Sequence, residues 1–453
     1  MKLSENVFVL KHSSQIFLAA KLQNQVRFIA KHGIKDFKST VSKNELPFLL
    51  DTSDINCMKT KFLHLLCFEF LLFSGGVVTS VGHASLCMII WALSCFLYYY
   101  SYHKKNEFVF RDNIKKYALI ISWIFVVTFV INDPNADLSI TAPVFYAIGV
   151  VFLCSIEAFD NFRKTLLKCA NILFLISIVV HLGHSFGIIP AHDIPIGGIP
   201  RTLSLYLFHT EWDAGQVSSL GIHRFSSVYW EPGQAQVVIM YVLLLFTDDI
   251  KENLLKYKYI LSKYGILILA LILTQSSTGY LVFMLYFSCL LLFNNTIKKK
   301  KYLKPIFVLL TVLFAFLMFN SSVVQDKIDQ RNEKSEDTSY AIRVRDNVVC
   351  YEIATENPLF GCGLGSRFLE FQLSKRGSRT SSNGWLLTGA QVGLPYLLFI
   401  FFCMFKRIKQ MNLEMQTCLL LLILILSQCN EAFTYFPYIW IYVFKFKTYK
   451  RLK

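Results

Sequence analysis

Charge is what this chain has least of: 17% of its 453 residues are Asp, Glu, Lys or Arg, against 54% hydrophobic residues and a mean hydropathy of +0.45. Soluble domains carry about 25% charged residues, so this composition excludes that class and indicates a polytopic membrane protein. None of the ten histidines falls after His223. The twelve cysteines show no metal-ligand spacing, so neither a zinc framework nor any other metal is expected. Most of them lie in apolar runs, where a thiol behaves as a small hydrophobe. Cys350 and Cys362 share one polar loop, and a disulfide there is open in an oxidising compartment, although one falls on a helix and the other in a turn. Residues 1–57 lack an apolar run near the roughly 20 residues of a membrane helix, and they lack a signal-peptide pattern. From Met58 the text reads MKTKFLHLLCFEFLLFSGG. Met58 is therefore expected as the biological start, with a cytoplasmic amphipathic extension as the alternative.

The charge that is present is patterned. The net +16 resides in short basic clusters between apolar runs, which fits positive-inside loops and argues against nucleic acid as a partner. Twelve candidate spans lie near 62–80, 84–102, 117–131, 141–159, 168–189, 233–247, 259–274, 278–293, 303–319, 385–405, 415–429 and 434–446. The lysine-rich connections at 103–116, 160–168, 247–258, 294–304, 406–410 and the C-terminal tail alternate with lysine-poor ones. That parity puts both termini in the cytoplasm and two long loops, 190–232 and 320–384, outside. The expected organisation is one transmembrane domain over 58–453, all-α in class, with those two outer loops.

Loops this long are uncommon unless functional or disordered. The first ends in HRFSSVYWEPGQ, with Pro232 suited to the first turn of the next helix and Glu231 at its cap. The second opens with QDKIDQRNEKSEDTS, a solvated crossing without an apolar face. Next, Ile342, Val349 and Ile353 recur at helical spacing with Arg343, Arg345, Asp346 and Asn347 between them, which predicts an interfacial amphipathic helix over 340–356. Asn357-Pro358 ends it. The GCGLGS that follows follows no strand, so it reads as a close turn and no nucleotide cradle.

Three segments carry a family resemblance. RVRDNVVCYEIATENPLFGCGLGSRF followed by SSNGWLLTGAQVGLP resembles the C-terminal signature of the O-antigen polymerase and O-antigen ligase superfamily. The shared features are an arginine on an amphipathic helix, a Pro-x-x-Gly-x-Gly turn, an asparagine before the next membrane helix and a glycine midway along it. HRFSSVYWEPG (223–233) resembles the arginine-to-Glu-Pro entry of the polymerases, and TQSSTGYL (274–281) resembles the family's hairpin between two helices. The resemblance implies a metal-independent, glycosyltransferase C-like helical fold without cofactor. It also implies glycans carried on undecaprenyl diphosphate at the outer face of the bacterial inner membrane. The partners are then that lipid-linked oligosaccharide and the lipid bilayer, with a chain-length regulator as a further candidate. The product class would be O-antigen, capsule or exopolysaccharide.

A lipid diphosphate leaving group calls for cations, and arginine's planar fork recognises it bidentately without a metal. The resemblance and the charge pattern together nominate Arg343 and Arg224 for catalysis, with an interfacial arginine and a loop ion pair as the structural alternatives. Glu231 is either the general base for the acceptor hydroxyl or a capping carboxylate. Arg345, Arg367, Arg376, Arg379 and Asn383 are nominated for substrate binding, Asn383 equally for a helix cap. His181 and His184 lie on the fifth span, where polar residues are costly and often functional. Ligases of the superfamily carry a histidine just before the asparagine, where this chain has Ser381 and Ser382. The reading is therefore a repeat-unit polymerase, with a ligase or a lipid-linked oligosaccharide flippase as alternatives. The two halves of the chain share no similarity, which counts against a transporter.

Overall fold

The computed structural model describes residues 52–73, 76–78, 83–103, 108–132, 141–196, 199–211, 223–294, 305, 309, 339–365, 367–375, 383–411, 417–429 and 435–447. Arg376, Arg379, Ser381, Ser382, the crossing 320–338 and nearly all of the expected span 303–319 lie outside the described residues. The chain divides into two compact units, Met1–Met58 and Lys59–Lys453. Only the opening of a helix is described in the first, and the following account concerns the second.

Its elements are the helices α1 (Thr52–Phe73), α2 (Ala84–Tyr102), α3 (Phe108–Phe125), α4 (Thr141–Ile156) and α5 (Phe159–Ser185). Strands β1 (Ala191–Ile196), β2 (Ile199–Ser204) and β3 (Phe208–Glu211) follow. The chain continues with α6 (Pro232–Leu244), α7 (Thr247–Asn253), α8 (Tyr257–Leu273), α9 (Ser277–Phe293), α10 (Ser339–Glu356) and α11 (Arg367–Lys375). It ends in α12 (Gly384–Val392), α13 (Leu394–Gln410), α14 (Thr417–Ser427) and α15 (Pro437–Ile441). α3 passes without a break into a π-helical stretch, Val126–Asn132.

Both faces of the long helices are apolar. α2 buries Met88, Trp91, Ala92, Cys95 and Tyr98 on one side and exposes Leu86, Ile89, Leu93, Phe96 and Leu97 on the other. α5 exposes Ile172, Leu175, Ile176 and Val179, spaced by three and four residues, opposite its buried face. A helix with no polar side has lipid for a solvent. Among the described residues, three helices are long and apolar enough to cross a membrane: Ala84–Tyr102, Phe108–Asn132 and Phe159–Ser185. The chain is a mostly helical membrane protein.

The interior is aromatic. Phe70 meets Trp91, Phe162 and Tyr438 edge-on, with centroids 4.8–5.8 Å apart. Tyr241 meets Tyr438 and Tyr442, and its hydroxyl accepts a bond from Gln428 Nε2.

Four features depart from the twelve-span, all-α expectation. Residues 190–232 contain a three-stranded antiparallel sheet in the order β1-β2-β3, with Ala191 opposite Ser204 and Ile196 opposite Ile199. The expected span 385–405 is two helices broken at Gly393. α6 and α7 are bent by 70° where a loop was expected after 247. The run 434–446 forms a helix only over the short, fully buried α15 before a turn, so it is not one continuous helix.

Contacts fix which helix ends lie together. At one end, the C-termini of α1, α5 and α8 and the N-termini of α6 and α9 surround the sheet and residues 223–231. The opposite end is tied by polar bonds. Glu157, 1% exposed, accepts from Lys59 Nζ at 2.6 Å and from Tyr98 Oη at 2.5 Å. The segment after α15 folds back here: Lys447 N–H donates to the Cys154 and Glu157 carbonyls at 2.9 and 3.1 Å. Asn113 acts as a side-chain clasp on the same segment, with Nδ2 donating to Lys445 O at 2.8 Å and Oδ1 accepting from Lys445 N–H at 2.9 Å. Asn113→Ala removes both bonds from a buried site, a cost of about 2 kcal/mol. The expected result is faster tryptic release of the C-terminal segment with the bundle otherwise intact.

Candidate functional site

The segment 223–231 is held as a buried plug between α6, α5, α8, the sheet and the turn after α1. Phe225 N–H donates to Leu273 O at 3.0 Å and His209 N–H to Ser227 O at 2.8 Å. Val78 N–H donates to Val228 O at 3.0 Å and Trp230 N–H to Gly76 O at 2.5 Å. Phe225, Val228 and Tyr229 are completely buried. Ser227 takes a left-handed φ of 58°, uncommon for a residue with a β-carbon, and its Oγ lies 2.7 Å from Ser177 Oγ. Such strain persists where the surroundings over-determine it.

This plug presents its polar ends. Arg224 is half-buried and within electrostatic reach of the Tyr280 phenol on α9. Glu231 is the N-cap of α6 with Pro232 in the first turn, as its sequence position suggests, yet its carboxylate makes no capping hydrogen bond. Beside it the Arg201 guanidinium, from β2, stacks 3.9 Å from the centre of the Trp230 ring. Arg201 is a residue that sequence reasoning missed. One turn into α6, Gln234 Oε1 and Gln236 Nε2 are buried without a hydrogen-bond partner.

The TQSSTGYL hairpin locks onto the same place. Ser276 caps α9, its Oγ accepting from Gly279 N–H at 3.3 Å. A β-carbon at Gly279 would lie 2.2 Å from Gln236 Cγ, so hairpin and α6 are keyed together at that point. The two α5 histidines serve this scaffold: His181 Nε2–H donates to His223 O at 2.9 Å and His184 Nδ1–H to Ile189 O at 3.1 Å.

The second constellation is built on α10. Val349, Cys350, Ile353 and Ala354 bury with Cys362, Leu369, Leu373 and Ala390 in a cluster separate from the main core. Both of its cysteines are buried. Arg343 and Arg345 are half-buried on this helix, and Arg345 Nε is buried without a hydrogen-bond partner. Arg367 is exposed at the start of α11. Asn383 is the N-cap of α12, its Oδ1 accepting from Leu386 N–H at 3.2 Å.

The GCGLGS turn is laced to the helix break. Cys362 and Gly363 donate their N–H groups to the carbonyls of Ala390 and Gln391, each at 2.8 Å, and Leu394 N–H donates to Pro358 O at 2.8 Å. Carbonyls at the end of α12, orphaned by the break, are thereby satisfied. Leu364 N–H donates to Thr128 Oγ1 at 3.1 Å, which fixes the turn to the π-helical end of α3, a distortion often found at functional sites.

The structure thus groups Arg201, Arg224, Trp230 and Glu231 on one set of elements and Arg343, Arg345 and Asn383 on another. α3 begins at the clasped, lysine-rich end, and its π-helical finish meets the GCGLGS turn, which is bonded to the C-terminal end of α12. No curated protein and no solved structure matches the chain. Residues 264–401, from within α8 to within α13, match the family model of the O-antigen ligase domain, and over that stretch the chain is similar to the O-antigen ligase and polymerase superfamily.

Proposed function

We propose that this protein is a polysaccharide repeat-unit polymerase. It transfers a growing glycan from undecaprenyl diphosphate onto a lipid-linked repeat unit at the outer face of the bacterial inner membrane. The observation that carries the reading is the Arg201–Trp230 stack next to Glu231, on a plug whose helix is keyed through Gln236 to Gly279, within the stretch that is similar to glycan-assembling enzymes. Arg343 and Arg224 bind the diphosphate and stabilise the charge that develops as it leaves. Glu231 accepts the proton of the attacking hydroxyl. The Arg201–Trp230 stack and the open amide atoms of Gln234 and Gln236 suit a hydroxyl-rich sugar that needs both a flat face and hydrogen bonds. Arg345, Arg367, Arg376 and Arg379 bind the anionic substrate, and Asn383, the cap of α12, binds it with them. Residues 58–453 form the working unit, with both termini in the cytoplasm. The reaction runs on protein cations alone, without a metal.

The choice of polymerase over ligase rests on the absence of any histidine after His223, which leaves Ser381 and Ser382 where ligases place an imidazole. Deleting the gene tests the reading. Loss of long chains with single repeats retained is the expected outcome. Loss of every added repeat would indicate a ligase, and lipid-linked units stranded on the cytoplasmic side would indicate a flippase.

A further inference from the structure

We infer that the lysine-rich end of the bundle, opposite the sheet, contains a binding site for a phosphate group centred on Arg407. Arg407 lies in the last turn of α13 and is only 4% exposed. Its Nε is buried with no hydrogen-bond partner, and among the described residues its guanidinium makes neither a hydrogen bond nor an ion pair. What it does touch are two rings: Phe446 at 5.3 Å and Phe159 at 5.9 Å from its central carbon. Aromatic rings attract a guanidinium, but they accept none of its five N–H donors as an oxygen would, and these still require acceptors.

The surroundings add more positive charge. Lys116 of α3 feels the charges of both Lys406 and Arg407, with Asp112 the carboxylate in reach. One bond of the Lys116 ammonium goes to Val443 O at 3.3 Å, which leaves two further N–H donors on the group. The Phe446 wall is placed deliberately, because the clasp of Asn113 on Lys445 and the bonds of Lys447 to Cys154 and Glu157 hold it from both sides. Burying a cation without a counter-charge is strongly disfavoured, and no carboxylate among the described residues pairs with Arg407, so a bound ligand supplies the counter-charge. Phosphate fits it best: it accepts two parallel bonds from a guanidinium and carries the charge that three clustered cations need. The source is either the headgroup of an anionic phospholipid or free phosphate. This site is independent of the glycan reading, which concerns the other end of the molecule.

The test uses the full chain in phosphatidylcholine nanodiscs, with and without a minor fraction of phosphatidylglycerol, and separately with sodium phosphate against sodium chloride at equal ionic strength. Wild-type protein is expected to melt about 3 °C higher in one or both phosphate arms. A response to phosphatidylglycerol alone identifies the lipid headgroup as the source, and a response to sodium phosphate identifies the free anion. Arg407→Gln is expected to abolish the shift. Lys116→Gln combined with Lys406→Gln is expected to weaken retention of the phosphate-bearing ligand about tenfold in native mass spectrometry, the size of one charge-assisted bond. This second variant decides the matter if Arg407→Gln does not fold. Flat responses in both arms for the wild type, or unchanged responses in the variants, overturn the site.

Discussion

Arg224→Ala and Arg343→Ala are each expected to abolish chain extension while leaving the protein at its normal level in the membrane. The diphosphate that departs from the growing chain gains charge in the transition state, and a fixed cation there is worth far more in a water-poor site than in solution. Removal of one such donor typically lowers the rate by about 10²–10³, enough to erase a ladder of long glycans on a gel. Lysine is expected not to rescue either position, because a point charge cannot reproduce a planar two-bond contact. The structure supports the second half of the prediction. Both side chains are half-buried and project from scaffolds held by backbone bonds, so their loss leaves the plug and α10 in place. Exposed Arg367 provides the contrast, with a small effect expected from Arg367→Ala. Wild-type chain length in the Arg224 or Arg343 variant would remove that residue from the reaction.

Gly393→Ala is expected to remove the folded protein altogether. Gly393 joins α12 to α13 with φ of 86° and ψ of 162°, a region closed to L-residues. A β-carbon there would sit 2.2 Å from Leu359 O and 2.6 Å from Leu359 C, backbone atoms with nowhere to move because Leu394 and Pro358 are bonded across the same gap. Strain and clash together cost about 3 kcal/mol or more, a large part of a typical folding free energy. The measurement is the yield of monodisperse protein extracted in mild detergent. Gly265→Ala is the matched control: it lies inside α8, its β-carbon would meet nothing closer than 3.9 Å, and a small gain in stability is expected from helix propensity. Equal yields for the two variants would show that the break at 393 tolerates a side chain.

What could be read from the sequence was whatever local chemistry decides. Pro232 marked the start of α6 and Asn383 the start of α12 because capping is settled within four residues. The helix over 339–356 followed from its spacing and from Asn357-Pro358 beyond it. Long apolar runs marked α2, α3 and α5 as membrane helices. Decisions made by distant partners were not legible. The sheet pairs Pro195 with Pro200, in segments whose prolines argue against strands, and it is anchored from outside by His209 on Ser227. The break at Gly393 is set by carbonyl and amide groups of residues 358–363, so GLP read as an ordinary glycine within a span. The stretch 434–446 was apolar enough for a membrane helix, but a run of that length more often fills a core, and Tyr438 to Ile441 do that. Arg201 became a site residue only when its strand was seen to reach Trp230, and Arg407, in sequence part of a basic loop, turned out to lie under two phenylalanines.

The Asn113 clasp also sets a timetable for biogenesis. Its partner, Lys445, is made 332 residues later. At roughly 5–20 residues per second, the amide must wait on the order of 15–70 s, while Glu157 waits almost as long for the backbone amide of Lys447. During that interval the earlier helices sit in the insertion machinery with a side-chain amide and a backbone carbonyl still short of their final bonds. The last described residues of the chain are therefore the ones that let the first half of the bundle close.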